Sequence, residues 1–351
     1  MPISGKLIIV FVSLILIGIL IITILLLTRK TTSINNYTNS IEHQYEILDY
    51  NVVLCMCVRN CGKYLKSIFN NIDRLGKCFR MFQCIFVYDN CSDNSAELLE
   101  EYRKKSSYNV TLINNIGNDS PYRTVRIANA RNRFVKALNM IEKVDFHIVI
   151  DPDDVNIYPW NLDVILPYLN RSDWDCLTFN RYYYYDIWAL LYGKYRHHCW
   201  GFGDMSGDVV STMNHDIEQK LSELKNNELL DCFSAFNGFG IYRTSIFRDC
   251  VYDGYYENIK KYFTDEERAQ TLEFLKQQML SYGIDSTNLK IDEDFIEIAE
   301  HANYHLSAIQ NKGAKIRISK DIYYTIPNGE KDLPECPYRR IPKGEKDLQI
   351  L

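Results

Sequence analysis

Between Val52 and Ile150 short apolar runs alternate with helix-like stretches, and this order constrains the fold more than any other feature of the chain. Val52 to Val58 is rich in strand formers and is broken by Asn60-Cys61-Gly62. Lys63 to Leu75 then places Leu65, Ile68, Phe69, Ile72 and Leu75 at helical spacing. Cys84 to Tyr88 predicts a second strand, Ser95 to Lys105 a second helix and Val110 to Ile113 a third strand. Arg123 to Ile141 sets basic residues on one side of a helix and Ile127, Ala130, Phe134 and Leu138 on the other. Phe146 to Ile150 reads as a buried strand running straight into Asp151-Pro152-Asp153-Asp154. Strands separated by helices pair in parallel, so the expected class is α/β. Ligands in such sheets bind beyond the carboxyl ends of strands, where Asp89 and Asp151 fall.

The chain after Ile150 is less regular. Asn161 to Leu169 and Phe295 to Gln310 predict helices, and Glu266 to Ser281 an exposed amphipathic one. Cys176 to Phe179, Phe239 to Tyr242 and Ala314 to Ser319 predict strands. Tyr182 to Leu191 is aromatic-rich, and Gly201 to Gly207 reads as a glycine-rich loop. At the other end, Leu7 to Leu27 is an almost unbroken apolar run long enough to cross a bilayer. It exceeds a signal-peptide core, and no small-residue cleavage site follows. The expected organisation is a tail (1–6), a transmembrane helix (7–27), a stem (28–48), an α/β domain (49–327) and a second tail (328–351). Lys6 against Arg29 and Lys30 leaves the flanking charge nearly balanced. The sequons at Asn36, Asn109 and Asn170 fit a lumenal domain, which makes the expectation a type II membrane protein.

Composition removes some classes. The net charge is −5 and no long basic run occurs, so the phosphate-neutralising footprint of a nucleic-acid binder is missing. The 11 cysteines are an odd number, so at least one cannot pair within the chain, and none has zinc-site spacing with histidine. Cys55 and Cys57 share one face of a strand and read as buried packing. The 26 tyrosines and frequent Asn, Ile and Lys match the bias of an AT-rich genome, as in some large viruses and protists, and carry no mechanistic weight.

Four segments carry chemistry. Asp151 and Asp153 put two carboxylates at a strand end, hard oxygen ligands for Mn²⁺ or Mg²⁺ beside a departing diphosphate. A capped turn is the other reading of that triplet, and the topology favours the metal. Asn237-Gly238-Phe239-Gly240 lets a substrate approach the backbone closely. Trp188 and Trp200, with Tyr182 to Tyr185, form either a sugar-stacking wall or core packing. Asp292-Glu293-Asp294 is a rival acidic cluster that capping a helix start explains.

Val87-Tyr88-Asp89-Asn90-Cys91-Ser92-Asp93 resembles the strand-end segment of GT-A glycosyltransferases, where the acid contacts the nucleoside base. Arg123-Thr124-Val125-Arg126-Ile127-Ala128-Asn129-Ala130-Arg131-Asn132 resembles the Arg-X-X-X-X-Ala-X-X-Arg-Asn helix of capsule-associated (cryptococcal-type) mannosyltransferases and related viral glycosyltransferases, without the acid those enzymes carry near it. Tyr185-Asp186-Ile187-Trp188 resembles the Asp-X-Trp segment of the same enzymes. Glu300-His301 stands where many inverting members carry Glu-Asp. The resemblance spans Asn51 to Tyr324 and implies a GT-A type nucleotide-diphospho-sugar transferase fold, a Rossmann-like mixed sheet with helices on both faces. It implies transfer of a sugar from a nucleoside diphosphate sugar, GDP-mannose first and a UDP-sugar second, to a hydroxyl of a glycan, protein or lipid. It also implies the roles. Asp89, Asn90, Ser92, Asp93, Arg126, Arg131, Asn132, Asp151, Asp186, Asn237 and Gly238 hold the donor. Asp151, Asp153 and His301 hold the metal, and Glu300 or His301 acts in catalysis. Two competitors stay open. A sugar-nucleotide pyrophosphorylase needs a phosphate loop that Val58-Arg59-Asn60-Cys61-Gly62 matches poorly. A non-catalytic carbohydrate- or partner-binding membrane glycoprotein has no need of the retained carboxylates.

Overall fold

The computed structural model describes residues 45–326 apart from Tyr183. The apolar run Leu7–Leu27, most of the expected stem and the tail 328–351 lie outside the described residues. Among the described residues no helix is long and apolar enough to cross a membrane.

The first half folds as its alternation requires. β1 (Leu48–Val58), β2 (Phe79–Tyr88), β3 (Asn109–Asn114) and β4 (Phe146–Ile150) are joined by α1 (Gly62–Gly76), α2 (Ser95–Lys105) and α3 (Arg123–Asn139). All four strands pair in parallel, in the order β3-β2-β1-β4. Alternate side chains of β1 and β2 face opposite ways. Val53, Cys55, Ile85 and Val87 share one buried cluster with Ala128, Phe134 and Leu138 of α3. Phe86, one residue out of phase, instead meets Phe69 of α1 and Tyr102 of α2, with ring centroids 6.4 and 6.0 Å away. Helices therefore cover both faces. β2 starts five residues before its apolar run, at Phe79, because Phe79 and Phe82 are buried as well.

The second half turns the sheet mixed. α4 (Leu162–Tyr168), β5 (Cys176–Asn180), α5 (Ser206–Glu223), β6 (Leu229–Cys232) and β7 (Phe239–Arg243) follow β4 in the chain. α6 (Thr244–Phe247), α7 (Tyr256–Ile259), α8 (Asp265–Ser281), α9 (His301–Lys312) and β8 (Ile316–Ile322) complete it. The full order is β3-β2-β1-β4-β7-β5-β8-β6. β7 lies antiparallel between β4 and β5, with Ile150 opposite Phe239. That direction brings the amino end of β7, Asn237-Gly238, beside the carboxyl end of β4, where Asp151 begins.

Three expectations need correction. Phe295 to Glu300 is not helical, and the helix begins at His301. Glu297 instead pairs with Tyr255 in an isolated bridge, and its carboxylate accepts from Thr124 N and Oγ1 at 2.9 and 3.0 Å. Tertiary hydrogen bonds override local propensity there. Gly201 to Gly207 is not one loop: a kinked 3-10 segment (Cys199–Met205) leads into α5, whose first turn holds Gly207, and that helix is absent from the sequence reading. β6 was missed too, being four residues at the sheet edge.

Candidate active site

The carboxyl ends of β2, β1 and β4 lie side by side, so Asp89 and Asp151 flank the end of β1. Between them α3 delivers Arg131, which is 5% exposed. Its Nη2 donates to Asp151 Oδ1 at 2.9 Å, and its Nη1 pairs with Glu300 Oε1 at 2.6 Å. The guanidinium lies over the rings of Phe236 and Tyr252, 4.8 and 5.5 Å from their centroids. Burial opposes its charge, but Glu300 and Asp151 outweigh that and hold it ionised more firmly than an ordinary arginine.

The acidic loop is fixed from below. Asp151 N donates to Gly238 O at 3.1 Å, and Asn156 Nδ2 donates to Asp151 O and Gly238 O, each at 2.9 Å. Asn237 and Gly238 both hold left-handed backbone, φ 55 and 83. A Cβ on Gly238 would stand 2.8 Å from Val155 Cγ2, so glycine is required. Asp153 caps the 3-10 turn Asp154–Asn156, accepting from Val155 N at 3.3 Å. Burial and the carboxylates of Asp151 and Asp154 push the Asp153 carboxyl up to about 7. Tyr185 Oη donates to the second oxygen of Asp151 at 3.3 Å. The next residue, Asp186, accepts backbone N–H groups from Ala189 and Asn237, both at 3.3 Å. Burial and nearby Asp151 push its carboxyl up to about 7 as well.

The other expected residues divide. Glu300 joins the site through Arg131, whereas His301 stacks on Phe236 with centroids 3.9 Å apart and turns Nε2 onto Arg131. Burial, then Arg131, holds the His301 ring neutral. A guanidinium therefore occupies the direction a metal would need at that nitrogen, and among the described residues no three His, Cys, Asp or Glu groups converge as a metal cage. Asp151 and Asp153 remain a fitting pair for a hard divalent ion whose other ligands are phosphate and water. Their mutual charge, visible in the raised Asp153 carboxyl, is what such an ion would relieve.

Ser92 and Asp93 tie the loops together. Ser92 bonds Asn60 Oδ1 through N and Oγ, and Asp93 accepts from Gly62 N at 2.9 Å and Ser95 N at 3.0 Å. Asn90 holds the turn at φ 43. Arg126 folds back onto Ser120 O and Pro121 O. Asn132 brackets the backbone of Tyr252, donating to its O at 2.9 Å and accepting from its N at 2.8 Å. Trp188 and Trp200 meet edge-on at 5.1 Å and pack against the main core. Asp292 closes a turn by accepting from Asp294 N at 3.0 Å. Sequence reading missed Asn115, Asn118 and Glu297. Lone Asn and Glu residues in loops carry no pattern, and only the packing picks them out.

A strand-end carboxylate pair thus stands at the carboxyl end of β4, an interior strand of a mixed α/β sheet. The chain belongs to glycosyl transferase family 2, whose profile matches residues 53–251, more than half of its length. Among curated proteins none matches the sequence. Similar solved structures are distant. S. aureus TarS 1-349 shares 13% identity with a TM-score of 0.36, over 78% of this chain and 59% of that one. The mannosyltransferase PcManGT from Pyrobaculum calidifontis, in complex with GDP-Man and Mn²⁺, shares 9% with a TM-score of 0.32, over 62% and 52%. Glucosyl-3-phosphoglycerate synthase from Mycobacterium tuberculosis, in complex with Mn²⁺, UDP and its product, shares 13% with a TM-score of 0.30, over 56% and 58%. The chain thus spans less than two thirds of each.

Proposed function

We propose that this chain transfers a sugar from a nucleoside diphosphate sugar to an acceptor hydroxyl, with a divalent metal ion held by Asp151 and Asp153. The observation that carries the reading is the buried Arg131, which fixes Asp151 at the carboxyl end of β4 and ties it to Glu300. When bound, Mn²⁺ or Mg²⁺ would offset the charge that builds on the departing diphosphate. The protein's own groups do the rest. Asp89 faces the nucleoside end. Gly238 lets the backbone pass close beneath Asp151. Arg131 keeps Asp151 oriented.

Glu300 is ion-paired to Arg131 and serves as a positioning group. Among the described residues Asp186 has no cationic partner at hydrogen-bond distance, and its carboxyl is pushed up to about 7, which suits the base that takes the acceptor's proton. The donor implied by resemblance is GDP-mannose or, second, a UDP-sugar. Attachment to a membrane through residues 7–27 with a lumenal domain is part of the same reading.

The test uses the full chain in detergent. Its melting temperature should rise with a nucleoside diphosphate only when Mn²⁺ is present, and Asp151→Asn or Asp153→Asn should remove the rise. Asp186→Asn should lower kcat at least about 100-fold and leave nucleotide affinity unchanged. A folded sample that no nucleotide shifts would sink the proposal. In sealed vesicles, activity that appears only after detergent would put the domain on the lumenal side, and activity without detergent would reverse it.

A further inference from the structure

The tyrosines from Tyr182 to Tyr185 do not act as one wall. Tyr184 is fully buried and Tyr185 turns its hydroxyl to Asp151, but Tyr182 is 58% exposed. It borders a cavity of about 260 Å³ between the carboxyl ends of β5 and β8 and the last turns of α5. Asn180, Glu218, Leu221, Ser222 and Lys320 also line it. The Tyr182 ring is propped from within. Tyr324 stands edge-on to it, with centroids 5.9 Å apart. Tyr324 in turn packs against Tyr158, stacked at 5.9 Å, and the Arg181 guanidinium, 4.4 Å from its centroid. A ring held in this way offers its exposed surface at little entropic cost. A bulge supplies polar groups beside it. Phe179 pairs with Ser319 but Asn180 with Ile322, so Lys320 and Asp321 are extra residues in β8, and Lys320 reaches the cavity. Lys320 Nζ donates to Leu224 O at 2.8 Å and to Asn226 Oδ1 at 3.3 Å, which leaves one of its three hydrogens. Asn180 Oδ1 accepts from Arg181 N at 2.9 Å, so the amide NH₂ is its free end. Glu218 is half-buried, and its carboxylate has no hydrogen-bonding or ionic partner among the described residues.

We propose that this cavity holds a neutral sugar unit of a glycan acceptor, away from the reacting hydroxyl, with Tyr182 as its stacking platform. This rests on the transferase reading above and goes beyond it in choosing a glycan among the acceptor classes and giving it a second foothold. A free carboxylate, one ammonium hydrogen and an amide NH₂ surround an exposed aromatic ring. A sugar hydroxyl both donates and accepts, so neighbouring hydroxyls of one pyranose can meet all three groups. The C–H face of the same sugar covers the ring. Other chemistries fit worse. A phosphorylated or sulfated group meets the Glu218 carboxylate, a cation meets Lys320, and a purely apolar group leaves both without partners. The cavity also stands in register with the candidate site. Arg181 Nη1 donates to Val155 O at 2.8 Å, in the turn that Asp153 caps. From Tyr182 to Asp186 the chain advances four residues, at most about 14 Å. A few linked sugars laid along that stretch reach from the Tyr182 ring to the carboxylate that takes the acceptor's proton.

Saturation-transfer NMR tests this on the full chain, kept in a detergent without a sugar headgroup and with no nucleotide present. The probes are tetraoses of glucose, mannose and galactose, and a sulfated tetrasaccharide. At least one neutral tetraose should bind, and the sulfated one should bind more weakly than it. Tyr182→Ala should weaken the neutral sugar at least about tenfold, whereas Tyr182→Phe, which keeps the ring, should stay within about twofold of the unaltered chain. Glu218→Ala should weaken it too, and the melting temperature of each variant checks its fold. Tighter binding of the sulfated sugar, neutral binding untouched by Tyr182→Ala, or equal losses in Tyr182→Phe and Tyr182→Ala would each overturn the proposal. A chain that answers nucleotide with Mn²⁺ but takes up no neutral tetraose would overturn it and leave the transferase reading standing. A folded chain that binds neither would overturn both.

Discussion

Arg131 shows how much one side chain can hold. It is buried, yet both arms of its guanidinium are engaged, Nη2 by Asp151 and Nη1 by Glu300, and the rings of Phe236 and Tyr252 lie beside it. A planar fork can reach two carboxylates at fixed angles, whereas an ammonium is a point charge on a flexible stem. Arg131→Lys should therefore keep the fold and lose most of the transfer activity. Arg131→Met strands two carboxylates in a nonpolar setting and should cost about 3–5 kcal/mol in urea unfolding. Adding Glu300→Gln removes one of the stranded charges, so the double variant should lose clearly less than the two single losses together. Strict additivity in that cycle would mean that Arg131 and Glu300 do not act as a pair.

Elements place these side chains, and small contacts place the elements. Gly254 packs against the start of α3, where a Cβ would stand 2.4 Å from Val125 N and 2.5 Å from Thr124 C. Backbone cannot yield as a side chain can, so Gly254→Ala should push the segment off α3 and cost about 1–3 kcal/mol. Because α3 carries Arg131, activity should fall too, although Gly254 touches none of the site residues. Gly207, in the first turn of α5, has open space around it, and Gly207→Ala should instead stabilise by about 0.4–1 kcal/mol. Denaturant melts that gave both substitutions the same sign would refute this account. The same scale explains what the sequence could reveal. Strands and helices up to Ile150 were legible because each has its own period and its own punctuation. α5 was not, although Val209, Val210, Met213, Ile217 and Leu221 recur at helical spacing, because the glycines before it read as loop. Phe295 to Glu300 misled in the opposite direction, since the bonds that straighten it come from Thr124 and Gly254, far away in the chain. Asp151 and Arg131, both singled out by their motifs, meet as an ion pair. Ser92, Asp93 and Asn132, for which the resemblance implies donor contacts, also hydrogen-bond the protein's own loops.

Across the whole molecule, the interior carries an unusual load of imidazole, and that sets how stability responds to pH. His301 stacks towards His305, His305 reaches Ser234 Oγ and Tyr242 Oη, and His147 reaches Thr244 Oγ1 and Tyr304 Oη. Burial lowers His147, His198 and His305 to about 3 and His197 to about 4, and holds His301 well below the ordinary value. An unfolded chain titrates its histidines near 6.5, so between roughly pH 6.5 and 4 the unfolded state takes up protons that the folded state refuses. These five groups favour folding fully above about pH 6.5, and their contribution falls as the medium acidifies. Asp153 and Asp186 act the other way. Both are raised to about 7, so the folded state keeps protons that an unfolded carboxyl releases above about pH 4, and acidification through that window favours folding. Asp216, raised by burial between the hydroxyls of Tyr195 and Tyr282, joins them. Five imidazoles outweigh three carboxyls, so unfolding near pH 5 should absorb protons on balance. The melting temperature, measured without metal, should fall steadily from pH 6.5 to 5. His305→Gln should flatten that slope by the contribution of about one proton, whatever it does to the midpoint at pH 7.5. A melting temperature that stayed level or rose on acidification would mean that the buried carboxyls, not the histidines, govern the proton balance of this fold.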